Sequence, residues 1–321
     1  MAFFKYVYLP DTVANIKANV LADLVLMMTG TTNVNSLSTL CDKANSLIVS
    51  DVPAGWTLHD NAAGTNAKCL KAPMADDPTA FKYVVLDTNS DAYCMQKLYY
   101  SWDATAHTGK FLTAGSDSGS LSQYVQNVAS TFGGIMFGWV TARYMVLLSR
   151  VNNQWGDPSS TGATVVAERS RMWPLDIVSA GVPPVIHTSL GWLVNSSSSR
   201  VYAPLKITRT GGFASGQNAF MDFYAGIWGL CGYNAQNTFK GQFKKALNSA
   251  GQSFVPIYPI HVADVAECGL PYGNISDVCD MYIVPGGILG TLEVVTYNGN
   301  AYHNIPARQS TDDFGLLVRR G

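Results

Sequence analysis

Charge is scarce in this sequence. Asp, Glu, Lys and Arg make up 13% of 321 residues and the formal net charge is −1, where roughly 25% charged residues is usual for soluble domains. With 21 basic against 22 acidic residues, no basic excess is present to neutralise a phosphate backbone, so nucleic acid is not expected as the main partner. Long apolar runs are also missing. The longest candidate, 20–28, is interrupted by Asp23 and is too short to span a bilayer. The opening MAFFKYVYLPDTVANIK lacks the basic and apolar regions of a secretory signal. Synthesis in the cytoplasm without membrane insertion is therefore expected.

Cysteine is thin and unpatterned. Cys41, Cys69, Cys94, Cys231, Cys268 and Cys279 form no C-x-x-C pair, which speaks against a zinc ribbon or a thioredoxin-like site. Mostly buried free thiols are expected, while spacing leaves a Cys268–Cys279 disulfide open. The five histidines, His59, His107, His187, His261 and His303, stand far apart with none of the i, i+3 or i, i+4 spacings that bring two ligands to one ion. No metal and no cofactor is expected.

Catalytic signatures fare no better. Asp76-Asp77 and Asp312-Asp313 are adjacent, so in extended chain their carboxylates point to opposite faces and cannot flank one bond. Gly115 to Gly119 has Asp117 where a nucleophile elbow needs serine. A dispersed triad leaves no spacing signal, and Asp176, His187 and Ser189 form the nearest trio for a hydrolase.

What the sequence does contain is punctuation and short apolar segments. Asp11 or Thr12 can cap a helix carrying Val13, Ile16, Val20, Leu24 and Met27 and ending near Gly30. A second helix over 37–47 completes a helical opening. Strands are expected over 56–59, 81–87, 92–102, through Trp139, and over 144–148, 164–168, 191–194 and 202–208, with turns at 89–91 and Asn152-Asn153. From Phe254 onward short segments alternate with turns, the pattern of an antiparallel sheet, sandwich or barrel. The fold class read from this order is α+β and β-rich, with short N-terminal helices followed by antiparallel sheets. Gly133-Gly134 marks a candidate boundary between an α+β region, 1–132, and a β-rich region, 133–321, unless the whole chain is one domain.

The final segment, MYIVPGGILGTLEVVTYNGNAYHNIPARQSTDDFGLLVRRG, has a Pro/Gly approach, a strand over 292–297, an Asn298-Gly299 hairpin, a returning strand over 301–305, a polar turn with Arg308, and an apolar strand over 314–318. It resembles the ending of virion structural proteins from tailed bacteriophages. The stretch GGIMFGWVTARYMVLLSR, with the Trp173-Pro174 segment, is similar to the middle of such proteins. The likeness covers about the last 190 residues. It implies a non-catalytic component of the virion tail, at the baseplate or neck, that assembles in a ring with itself and with adjacent virion proteins. A low-charge surface suits repeated association, and closed symmetry hides sheet edges. Tyr297, Tyr302, Ile305 and Phe314 are expected on sheet faces, with Arg308, Arg319 and Arg320 as contact residues. Arg169 and Arg171 form a second basic group, which edge protection explains equally well. Two other readings stand beside this one: a carbohydrate- or receptor-binding module using Trp102, Trp139, Trp155 and Trp228, and a capsid decoration protein.

Overall fold

The computed structural model describes residues 2–50, 55–75, 77–89, 93–99, 101–110, 121–127 and 131–151, and beyond them 154–155, 163–168, 185–189, 201–202, 220–225, 257–264, 270–274, 280–285, 292–306 and 314–320. The chain begins with a strand, β1 (Ala2–Tyr8), followed by the single described α-helix, α1 (Val13–Met28), and β2 (Leu47–Ser50). Next come β3 (Thr57–Gly64), β4 (Ala67–Pro73), β5 (Phe81–Asp87), β6 (Tyr93–Tyr99), β7 (Ser101–Asp103), β8 (Thr108–Lys110) and β9 (Leu121–Asn127). β10 (Gly134–Val140), β11 (Tyr144–Val151), β12 (Gln154–Trp155), β13 (Ala163–Glu168), β14 (Val185–Ser189), β15 (Val201–Tyr202) and β16 (Phe220–Ala225) follow. The last are β17 (Tyr258–Asp264), β18 (Leu270–Asn274), β19 (Met281–Pro285), β20 (Val294–Tyr297), β21 (Asn300–Pro306) and β22 (Phe314–Arg319).

All pairings among the described strands are antiparallel. The main sheet runs β2-β1-β10-β11-β13-β14-β15-β16-β17-β19-β22-β21-β20, with β12 beside β11 and β18 beside β17. A five-stranded sheet, β3-β4-β5-β6-β9, is inserted between β2 and β10, and β7 and β8 form a separate two-stranded ribbon. β1 pairs along all seven residues with β10, from Ala2↔Val140 to Tyr8↔Gly134, and so bridges the sequence position 133.

The opening strand differs from the expected helical start, and its sequence explains why it is hidden. In AFFKYVY both faces are apolar except at Lys5, so the two-residue alternation that marks a half-buried strand is absent. Phe4, Tyr6 and Tyr8 point into a core shared with Ile16, Val20 and Leu24 of α1 and with Leu70, Val84, Leu86 and Leu98 of the five-stranded sheet. Phe3 points the other way, onto Trp139 and His303. β10 is likewise buried on both faces: Met136 and Val140 join the helix side, whereas Phe137 and Trp139 face β21. The strands β1 and β10 are thus packed between the helix with the five-stranded sheet on one side and the C-terminal strands on the other.

Helix α1 forms as expected. The Thr12 hydroxyl accepts from the Asn15 N–H, and the helix closes at Thr29, with Gly30 in the left-handed region. The second helix over 37–47 does not form. Instead Val34–Ser36 makes one 3₁₀ turn, the Asn33 side chain accepts from the Asn35 N–H, and the Asp42 carboxylate accepts from the Asn45 N–H. Short Asn and Asp side chains bond nearby backbone and compete with helical propagation. Leu37, Leu40 and Cys41 are instead buried on consecutive turns.

Buried charges sit at two junctions between layers. Asp23 of α1 accepts from Tyr6 Oη at 2.8 Å, Ser38 N at 2.7 Å and Ser38 Oγ at 2.7 Å, tying helix, first strand and connecting turns together. Burial and the adjacent Asp23 carboxylate push the Tyr6 phenol far above its ordinary range. Lys82 of β5 donates to the Pro73 carbonyl and to Glu168 Oε1 of β13, and its ammonium lies 5.4 Å from the Trp56 ring centroid. Glu168 Oε2 in turn accepts from the Ala75 N–H. This pair links the five-stranded sheet to the main sheet. Cys41, Cys69 and Cys94 are buried free thiols, as expected for those three.

Candidate functional site

The C-terminal strands gather several of the residues singled out in the sequence. At the Asn298-Gly299 turn, Tyr297 pairs with Asn300. Both turn residues have positive φ, 48° and 76°, the geometry of the two-residue hairpin whose twist matches that of its strands. The turn fixes the register of β20 on β21, and β21 is placed on β22 with Tyr302↔Arg319 and His303↔Val318 opposite one another.

That register assembles a tyrosine cluster. Tyr282 of β19 meets Tyr297 at 5.2 Å and Tyr302 at 5.6 Å between ring centroids, both edge-on. Val284 and Leu317 lie beneath them. Burial, aided by the nearby Tyr302 hydroxyl and Asp280 carboxylate, pushes the Tyr282 phenol up to about 12, so its hydroxyl is a neutral donor and acceptor at ordinary pH. Beside them Arg319 Nη1 donates to Asp280 Oδ2 at 2.7 Å, and each side chain is 37% exposed. That hydrogen bond raises the guanidinium further above its usual range.

Next to this cluster the sheet ends. β20 is its terminal strand, with no strand beyond it among the described residues, and Val294 on it is 46% exposed. β2 ends the opposite side, with Leu47 46% exposed. A free antiparallel edge offers backbone donors and acceptors to another chain. Apolar, tyrosine and guanidinium groups beside it are the types enriched at protein interfaces.

Of the residues singled out in the terminal segment, Tyr297, Tyr302 and Arg319 are therefore brought together. Tyr302 is almost wholly buried and supports the cluster from below. Arg320 is exposed, and its N–H donates to the Ala301 carbonyl. Phe314 opens β22, its backbone opposite Pro285, and Ile305 pairs with Leu316. Arg308, Arg169 and Arg171 lie outside the described residues. Tyr282 and Asp280 belong to the same patch and were not anticipated. The alternation in DMYIVP could have indicated Tyr282, but Asp280 is brought to Arg319 only by the β19–β22 pairing.

The other candidates separate. Trp139 is fully buried and donates through Nε1 to His303 Nδ1, so it cannot stack on a sugar. Trp102 is half-buried under its own hydrogen bond to Asp60. Trp155 pairs through its backbone with Arg150, and Trp228 lies outside the described residues. His187 and Ser189 lie two apart on β14, and Asp176 lies outside the described residues. Among the described residues no group of three His, Cys, Asp or Glu side chains converges in a way that could hold a metal ion. No described helix is long and apolar enough to cross a membrane.

A carboxylate–imidazole pair that the sequence did not signal stands elsewhere. His107 Nδ1 lies 2.8 Å from Asp60 Oδ2, across 47 residues of sequence that no local motif connects. No family model and no curated protein matches this chain.

Proposed function

We propose that this protein is a non-catalytic structural component of a tailed-phage virion, associating with copies of itself and with adjacent virion proteins in the tail assembly, at the baseplate or neck. The observation that carries the self-association is the edge of β20, which no strand covers among the described residues, with Val294 exposed on one face and the Tyr282–Tyr297–Arg319 patch on the other. A partner strand added there would satisfy the edge amides and cover Val294, while the tyrosines and the Asp280–Arg319 pair would supply directional contacts at the rim. The low charge of the sequence favours such burial, since few ionised groups need to be desolvated. The packing of β1 and β10 between two sets of strands supports a layered, sandwich-like architecture. The assignment to the virion rests on the resemblance of residues 281–321 and of the 133–150 stretch to tailed-phage proteins.

Gold-labelled antibody against the purified chain, applied to intact phage particles and imaged by electron microscopy, tests this reading. Label confined to the tail or neck at low copy is the expected result. Dense label over the capsid would convert the reading to decoration, and unlabelled particles would overturn it.

A further inference from the structure

The outer face of the five-stranded sheet carries a second, smaller cluster. Ala67, Cys69 and Val85 are buried there, with Ala63, Tyr83, Tyr99 and Trp102 packed against them. Their cover is the β7–β8 ribbon, whose strands pair only with each other among the described residues. An isolated two-stranded ribbon is marginally stable in water, so side chains must hold this one in place.

Asp60 does so. Its Oδ2 accepts from Trp102 Nε1 and from His107 Nδ1, both at 2.8 Å, and its Oδ1 accepts from the Ala62 N–H at 2.8 Å. The carboxylate is buried, whereas the His107 side chain at the ribbon's tip is 43% exposed. The tip is shaped by Asp103 Oδ1, which accepts from the Thr105 and Ala106 N–H groups, and by His107 itself in the left-handed region at φ 56°. Gly109 lets the ribbon lie flat, because a Cβ there would come within 2.5 Å of the Tyr99 ring and 2.6 Å of the Trp102 ring.

We propose that the β7–β8 ribbon is a hinged cover latched by Asp60, whose release uncovers the Cys69 thiol and the apolar outer face of the five-stranded sheet while the rest of the fold stays intact. The latch is concentrated on one carboxylate, and among the described residues the ribbon contributes no backbone pairing to either large sheet. The groups around Asp60 are His107 and, beyond it, Asp103 from the ribbon, and Cys69 from β4. Tyr83 of β5 lies against Cys69, and His59 of β3 lies against Tyr83. Burial alone would raise the Asp60 carboxyl, but the His107, Trp102 and Ala62 donors outweigh it and hold it below the ordinary carboxylate range. The latch is accordingly complete at neutral pH and lost only in acid, as the pH falls through that lowered value. At neutral pH opening is a local fluctuation.

Thiol alkylation of the native full-length chain at pH 8 with N-ethylmaleimide, followed by peptide mass spectrometry, reads this opening. Cys94 is the internal control, because it is buried in the main core away from the ribbon, while burial raises both thiols alike in the closed state. The expected result is faster labelling of Cys69 than of Cys94. Asp60→Asn should raise the Cys69 rate roughly tenfold or more with Cys94 unchanged, since charge-assisted hydrogen bonds are lost. Should Asp60→Asn fail to fold, His107→Gln keeps the Trp102 bond and should raise Cys69 labelling alone by a smaller factor. Equal rates at Cys69 and Cys94 in the wild type, or a variant that accelerates both alike, would show that only global unfolding exposes Cys69 and would overturn the proposal.

Discussion

Trp139 of β10 donates its indole N–H to Nδ1 of His303 on β21, at 3.1 Å and across 164 residues. The two strands lie far apart in the order of the main sheet, so this bond records the sheet folding back to bring its C-terminal strands over β1 and β10. Phe3 completes the contact, its ring 4.7 Å from the imidazole. Because Nδ1 accepts, the proton of the neutral ring sits on Nε2. Burial, with a further contribution from Arg320, lowers the imidazole to about 4.

A pH dependence follows from that site. The folded protein binds the His303 proton less readily than the unfolded chain, whose histidine titrates at about 6.5. The stabilisation is therefore full above that value and is lost as the pH falls through it toward 4. The shift corresponds to at most about 3 kcal/mol. Urea unfolding at pH 7.5 and pH 4.5 should show this loss, and His303→Gln, which cannot titrate, should show a smaller difference between the two conditions.

The Lys82–Glu168 pair gives a sharper mutational test. Lys82→Met removes the cation while Glu168 stays buried, and a loss of roughly 3–5 kcal/mol is expected. The double variant Lys82→Met with Glu168→Leu should recover a large part of it, because no uncompensated charge remains. A double-mutant cycle by urea unfolding measures both.

Asp23→Asn should also destabilise. The carboxylate accepts three hydrogen bonds at 2.7–2.8 Å, and an amide nitrogen in place of one oxygen turns an acceptor toward the Tyr6 and Ser38 donors into a further donor. A cost of about 2–3 kcal/mol is expected. Thermal unfolding of the variant, together with protease sensitivity near Ser38, checks it.

At the hairpin, Gly299→Ala isolates a backbone effect. Nothing lies within 4 Å of a Cβ built at this position, yet φ is +76°. The expected loss of about 1 kcal/mol is therefore conformational. A variant as stable as the wild type in urea unfolding would show that the turn does not constrain β20.

Much of the secondary structure was legible in the sequence, and the misses have local causes. The Phe81–Asp87 strand, the Asn298-Gly299 turn and the Thr12 cap were readable because each depends on nearby residues. β1 was not, because Phe3 and Val7 make both faces apolar and erase alternation, and over 37–47 the side chains of Asn33 and Asp42 bond nearby backbone in place of a helix. The expected strand at 191–194 lies outside the described residues, while β14 formed just before it from the Val185–Ser189 segment. The patch was half visible: Tyr297, Tyr302 and Arg319 were singled out in the terminal segment, but Tyr282 and Asp280 join them only through long-range pairing. Asp60 with His107, and Lys82 with Glu168, are products of tertiary structure alone.

The central claim is self-association through the β20 edge, and the molar mass of the purified chain in solution tests it most directly. Light scattering coupled to size exclusion at micromolar concentration should return two or more times the chain mass for the wild type. Val294→Lys, a charge placed on the exposed edge, should shift that mass toward one chain without altering the far-ultraviolet circular dichroism. A wild-type protein that stays at the mass of a single chain across this range would contradict the account.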